Sequence, residues 1–193
     1  MGFDLHGINP KQATKKRPEE GAPDNYGEQW HKDYEAWQQQ DGTYFRNNVW
    51  WWRPLADYII EHTKCVSEKD AKQWHYNDGH QVSEAEANAI ADQLEHLLKT
   101  GHTETFAHDY EQERKECEEH NKKVDALHQK LKEKVEKETG KTNLAPCDYP
   151  KADHDEWNRI YQMTKHAASY PFSIENVKEF IKFCRASGGF EIC

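Results

Sequence analysis

No stretch of this 193-residue chain approaches the roughly 18 consecutive apolar residues that a membrane span requires. The first residues also lack the apolar core of a secretory signal. Cysteine is scarce and odd in number: the five, scattered from Cys65 to Cys193, read as free thiols rather than as a disulfide frame. Together these absences lead us to expect a soluble protein of the cytosol, without membrane association. Positive charge is also in deficit, at 26 Lys and Arg against 35 Asp and Glu, a net charge of -9. Nonspecific DNA or RNA binding requires a clustered basic surface to displace counterions, so that balance disfavours it. Missing too are a phosphate-binding loop, G-x-G-x-x-G, H-E-x-x-H and G-x-S-x-G, and with them the commonest signatures of nucleotide-dependent and hydrolytic enzymes.

What the chain has is aromatic residues, 12% of the total against a hydrophobic fraction of only 35%. They concentrate in Tyr44-Phe-Arg-Asn-Asn-Val-Trp-Trp-Trp-Arg-Pro-Leu-Ala-Asp-Tyr58. Three consecutive tryptophans cannot share one face of a helix or of a strand, so at least one looks away from the local core. Such a ring calls for a second packing partner, a ligand or another chain. Arg46 and Arg53 flank the rings. Flat rings beside guanidinium groups suit a nucleotide-like ligand, with bases to stack and phosphates to pair. Arg46, Asn47, Asn48, Trp50, Trp51, Trp52 and Arg53 are the candidate ligand-binding residues; packing of all three tryptophans, with the arginines covering them, is the competing explanation.

Residues 1–24, rich in Gly and Pro and carrying Lys15-Lys16-Arg17, predict a flexible arm whose first nine residues are apolar enough to dock as an extended strap. From residue 25 onward we expect a single all-α domain of five or six helices. Trp30, Tyr34 and Trp37 form one helical stripe ended by Asp41-Gly42. Pro54 opens a helix to about Thr63, unless one helix runs through it from Val49. Residues 66–82 read as a loop. Ser83-x-x-Glu86 is a capping box for a helix that Gly101 ends. Residues 103–138 read as one long charged helix or two in tandem, with a thin heptad-like seam through Val124, Leu127, Leu131 and Val135 that admits homo-oligomerisation. A helix from about Asp153 to Ser169 and another capped by Ser173 complete the set, with Phe190 and Ile192 folding back over the last turn.

Residues 66–112 hold ten acids against three bases, so the acidity is a patch. Glu84, Asp92 and Glu95 can lie on the outer side of the capped helix and greet a basic protein, although a solvated face explains them as well. Cys117-x2-His120 with Cys147 and His154 offers four potential zinc ligands, but the second pair is spaced too widely for a knuckle, so no metal and no cofactor is expected. Cys65 with His62 and Cys117 with His120 are the close thiol and imidazole pairs; neither has an orienting third group in sequence, which points away from an enzyme.

The blocks Gly2-Phe-Asp-Leu-His-Gly-Ile-Asn-Pro10, Tyr44-Phe-Arg-Asn-Asn-Val-Trp-Trp-Trp-Arg-Pro-Leu55 and Tyr170-Pro-Phe-Ser173 through Ser187-Gly-Gly-Phe190 together resemble a group of uncharacterised tailed-bacteriophage proteins. Relatives often carry Cys-x-x-Cys pairs where this chain has Cys117-x2-His120 and a single Cys147. The resemblance implies the cytosol of an infected bacterium and supplies no activity. The resulting expectation is a phage accessory that acts by binding, in counter-defence: an aromatic and arginine pocket sequestering a nucleotide-derived host immune signal. The alternatives are an inhibitor that meets a host defence protein through its acidic or Trp-rich surface, and a zinc-stabilised structural or assembly accessory.

Overall fold

Phe3 and Leu5 point one way and Asp4 and His6 the other, so the start of the chain makes a strand, β1 (Gly2–Gly7), with an apolar and a polar face. The computed structural model describes residues 2–19 and 27–193. Strand β1 lies inside a four-stranded antiparallel sheet of order β2-β1-β4-β3, with β2 (Tyr44–Asn48), β3 (His80–Val82) and β4 (Phe190–Ile192). The all-α expectation is therefore corrected to a mainly α chain: seven α-helices and this sheet among the described residues, rather than five or six helices alone. The strands are three to six residues long and pair across most of the sequence, which leaves little local periodicity to read.

The start of the expected arm docks as an extended segment, the alternative that its apolar residues admitted. Residues 2–7 are a strand, and the strap that follows is tied down by Ile8 N–H to the Gly189 carbonyl, Asn9 N–H to Ser187 and Lys11 N–H to Ala186. Residues 20–24 of that arm, and Asn25 of the expected first helix, lie outside the described residues. Gly188 explains the close approach of strap and helix end. It caps α7 (Ile174–Ser187) in the left-handed conformation at φ 61°, and a Cβ there would sit 2.1 Å from the Asn9 carbonyl oxygen.

The described residues fall into two compact units, Met1–His108 with Pro171–Cys193, and Asp109–Tyr170. In the first, the apolar face of the sheet packs against α2 (Val49–Thr63) and α7, with α4 (Glu84–Lys99) against both helices. The core is built from rings: Trp52 stacks on Phe3 at 5.6 Å and on Trp74 at 5.8 Å, and meets Phe180 edge-on at 6.0 Å. Helix α2 begins at Val49, capped by the Asn48 side chain, and runs through Pro54, as the second of the two sequence readings had it. The segment read as a loop contains α3 (Glu68–Ala71), a 3-10 turn that buries Trp74, and β3. Helix α4 has the Ser83–Glu86 capping box. Helix α1 (Glu28–Gln38) carries the Trp30, Tyr34, Trp37 stripe, with ring centroids 4.9 and 5.5 Å apart.

The second unit pairs the Asp109–Thr139 part of α5 (His102–Thr139) with α6 (Lys151–Tyr161). Val124, Leu131 and Val135 are buried with Ile160 of α6, so the seam read as an oligomerisation surface is covered within the chain. Leu127 stands apart, 37% exposed. The buried Asp153 carboxylate accepts from Lys134 Nζ at 2.8 Å, and Tyr110 donates to the Tyr170 carbonyl at 2.9 Å. The last expected helix of this region ends early, at Tyr161, and 166–169 is a 3-10 turn.

Candidate functional site

The residues expected to make an aromatic and arginine pocket do not converge on one. Trp52 is fully buried and its indole N–H donates to the Trp74 carbonyl at 2.7 Å. Asn47 faces the core side and donates to Asn176 Oδ1 at 3.0 Å, while Asn48 is consumed as the α2 cap, accepting from the Trp50 and Trp51 amides. Trp50 and Trp51 remain 45% and 37% exposed, with Arg53 exposed further along the same helix. Arg46 stands on the polar face of the sheet, 3.9 Å from Asp4. One strand turn and one helix turn in succession send these seven side chains in different directions.

The acidic trio is engaged within the molecule. Arg185 of α7 holds Asp92 at 2.6 Å and Glu95 at 2.9 Å, and Lys11 of the strap holds Glu84 at 3.0 Å. Arg185 is raised above its usual range by its hydrogen bonds to Glu95 and then Asp92.

The polar face of the sheet does gather chemistry. Register places Tyr44, His6, Glu191 and Gln81 in one transverse row across all four strands. Asp4 lies in the neighbouring row beside Arg46 and accepts a short hydrogen bond from the Tyr44 hydroxyl. Burial and then that bond push the Tyr44 hydroxyl well above the usual phenol range, so it stays protonated. His6 stacks on Tyr44 at 5.5 Å and lies 5.8 Å from Trp37 of α1.

Over this row runs the strap. Between them lies an open cleft of about 640 Å³ lined by His6, Lys15, Lys16, Arg17, Gln81 and Glu191, with Trp37 and the apolar strap residues Ile8, Pro10 and Ala13 also in its wall. Arg17 lies over the Trp37 ring at 5.6 Å, and its Nη1 is 3.3 Å from His6 Nδ1. A guanidinium can only donate, so His6 Nδ1 is the acceptor in this contact. At Thr14 and Lys15 the strap is held by the Gln40 side chain. Gln40 Oε1 accepts from Thr14 N–H at 2.7 Å, Lys15 N–H at 2.9 Å and Thr14 Oγ1 at 3.1 Å, while Nε2 donates to the Lys15 carbonyl at 3.2 Å.

Among the described residues, three bases against one acid line this cleft, in a chain of net charge -9. In sequence Lys15-Lys16-Arg17 belongs to a Gly- and Pro-rich segment that predicts a flexible arm. Two signals pointed here: it is the one run of three consecutive bases in the chain, and Gly-Phe-Asp-Leu-His-Gly before it alternates as a half-buried strand does.

Elsewhere, His120 Nε2 lies 2.8 Å from the Met163 carbonyl, and no three His, Cys, Asp or Glu side chains among the described residues gather as a metal-holding group, Cys117, Cys147 and His154 included. His62 packs against Tyr58, His102 and Phe106, at ring distances of 4.8, 4.8 and 5.1 Å. Burial and then the neighbouring His102 hold its imidazole below the ordinary histidine value. Neither protein-family models, curated proteins nor solved structures yield a match to this chain.

Proposed function

We propose that this protein acts by binding, not by catalysis, and that its ligand is a small phosphorylated molecule taken into the cleft beneath the strap. The observation that carries this reading is that Lys15, Lys16 and Arg17 all border one open cleft of about 640 Å³, within the usual size range of ligand pockets, in a chain of net negative charge. Guanidinium and ammonium groups pair with phosphate oxygens through charge-assisted hydrogen bonds. Arg17 is already oriented by Trp37 and His6, which lowers the ordering cost of binding. The described residues that line the cleft include no hydroxyl or thiol nucleophile. In the infected-cell setting that the phage resemblance implies, such a ligand is a nucleotide-derived immune signal, and binding it is counter-defence by sequestration.

Calorimetric titration with pyrophosphate and with a panel of linear and cyclic nucleotides tests this. One-to-one binding that weakens at least tenfold in Arg17→Ala and Lys15→Ala, with unchanged thermal melts, is the expected result. If no member of the panel binds, the sequestration reading is withdrawn. The exposed Trp50 and Trp51 then favour the second reading, a protein partner met through the tryptophan surface. The acidic-surface version is weaker, because Glu84, Asp92 and Glu95 already have partners in the fold.

A further inference from the structure

The cleft is basic on the strap side and different on the sheet side. There the register pairs Gln81 of β3 directly with Glu191 of β4, and Glu191 in turn with His6 of β1. Directly paired residues on one face of an antiparallel sheet hold their Cβ atoms about 5 Å apart, so a carboxylate and a carboxamide stand side by side in the cleft wall. A carboxylate only accepts, through two oxygens, and a carboxamide both accepts and donates. A phosphate has no use for the carboxylate; it is repelled by it. A ligand that satisfies the whole cleft therefore carries an anion for Lys15, Lys16 and Arg17 and, at its other end, adjacent N–H donors for Glu191.

We propose that the cleft selects a guanine nucleotide, with the N1–H and exocyclic amine of the base donating to the two oxygens of Glu191, Gln81 bonding a remaining polar edge of the base, and the phosphate held by the strap bases. Guanine is the common nucleobase that offers two neighbouring donors on one edge. Adenine and cytosine offer an amine beside an acceptor, which would face a carboxylate oxygen with a lone pair. Glu191 is half-buried, on the polar face of the sheet. Gly79 borders the same carboxylate: a Cβ there would lie 3.1 Å from Glu191 Oε1, so a side chain at that position would crowd the carboxylate.

This inference rests on the phosphate-binding reading of the cleft, and the experiment separates the two. The full chain is titrated with pyrophosphate, GMP and IMP, the last two differing only in the exocyclic amine. The inference predicts that GMP binds about tenfold or more tighter than IMP, the discrimination expected of a bidentate base contact. It also predicts that Glu191→Gln abolishes this difference while leaving pyrophosphate binding within about twofold of wild type, or tightening it. Gln81→Ala, at an exposed position, serves if Glu191→Gln lowers the melting temperature; it should reduce GMP affinity and spare pyrophosphate. Equal binding of GMP and IMP alongside tight pyrophosphate binding overturns the guanine assignment and leaves the cleft. Failure of all three to bind overturns both.

Discussion

Gln40→Ala is the perturbation that isolates the strap from everything beneath it. The Gln40 carboxamide ties residues 14 and 15 to the end of α1 through two backbone N–H donors, one hydroxyl and one carbonyl. An intramolecular hydrogen bond contributes about 0.5–1.5 kcal/mol net, and the low end applies here because Thr14 and Lys15 are exposed. Loss of the two N–H bonds and the carbonyl bond thus removes roughly 1–2 kcal/mol of local ordering, about 5- to 30-fold in the equilibrium between closed and open strap. Amide hydrogen exchange resolved by residue is the assay. Exchange at Thr14 and Lys15 should accelerate by that factor, while Lys11, whose amide bonds the Ala186 carbonyl, changes much less. Gln40→Glu keeps the acceptors and loses the donor, so it should fall between wild type and alanine. The thermal midpoint should move by no more than about a few degrees, since the core is untouched. Unchanged exchange at Thr14 and Lys15 in the alanine variant would refute the assignment of Gln40 as the strap's anchor.

Other expectations follow from the same geometry. Trp52→Ala should cost about 3–5 kcal/mol in denaturant unfolding, because it empties the ring stack between Phe3 and Trp74 and leaves the Trp74 carbonyl unbonded; a loss under about 1 kcal/mol would mean that the core is organised differently. His62 is held below the ordinary histidine value in the folded state, so the unfolded chain binds more protons on acidification. Its contribution is neutral above the unfolded pKa of about 6.5 and destabilising below it, and His62→Gln should flatten the loss of stability between pH 7 and 5. Reversing Asp92 and Glu95 to lysine should lower the melting temperature at low salt, because it sets two ammonium groups against Arg185; an unchanged midpoint would show that the pairing contributes nothing.

The helices were largely legible. The Ser83–Glu86 box, the Trp30, Tyr34, Trp37 stripe and the Ser173 cap are local signals set within one or two turns, and the structure places them as the sequence indicates. The sheet was not. Val82, Phe190 and Ile192 acquire meaning only when residues 190–192 pair with 5–7 on one side and with 80–82 on the other, and pairing across a whole chain leaves no period in a window of eleven. The tryptophan run shows a subtler failure. That one ring at least must look outward follows from geometry alone, and two do. That these rings and Arg46 would converge does not follow, because Asn48 ends a strand and starts a helix between them. The basic triplet was visible as composition, but the placement of Arg17 over His6 and Trp37 follows a strap held by Gln40, just past α1, which no motif marks.

The most direct test of the binding reading is a two-dimensional amide and indole NMR titration of the isotopically labelled chain with GMP. The account predicts shifts concentrated in residues 8–17, the Trp37 indole, Gln81 and Glu191, saturating at one equivalent. Shifts centred on Arg46, Trp50, Trp51 and Arg53 instead, or none at millimolar nucleotide, would contradict it.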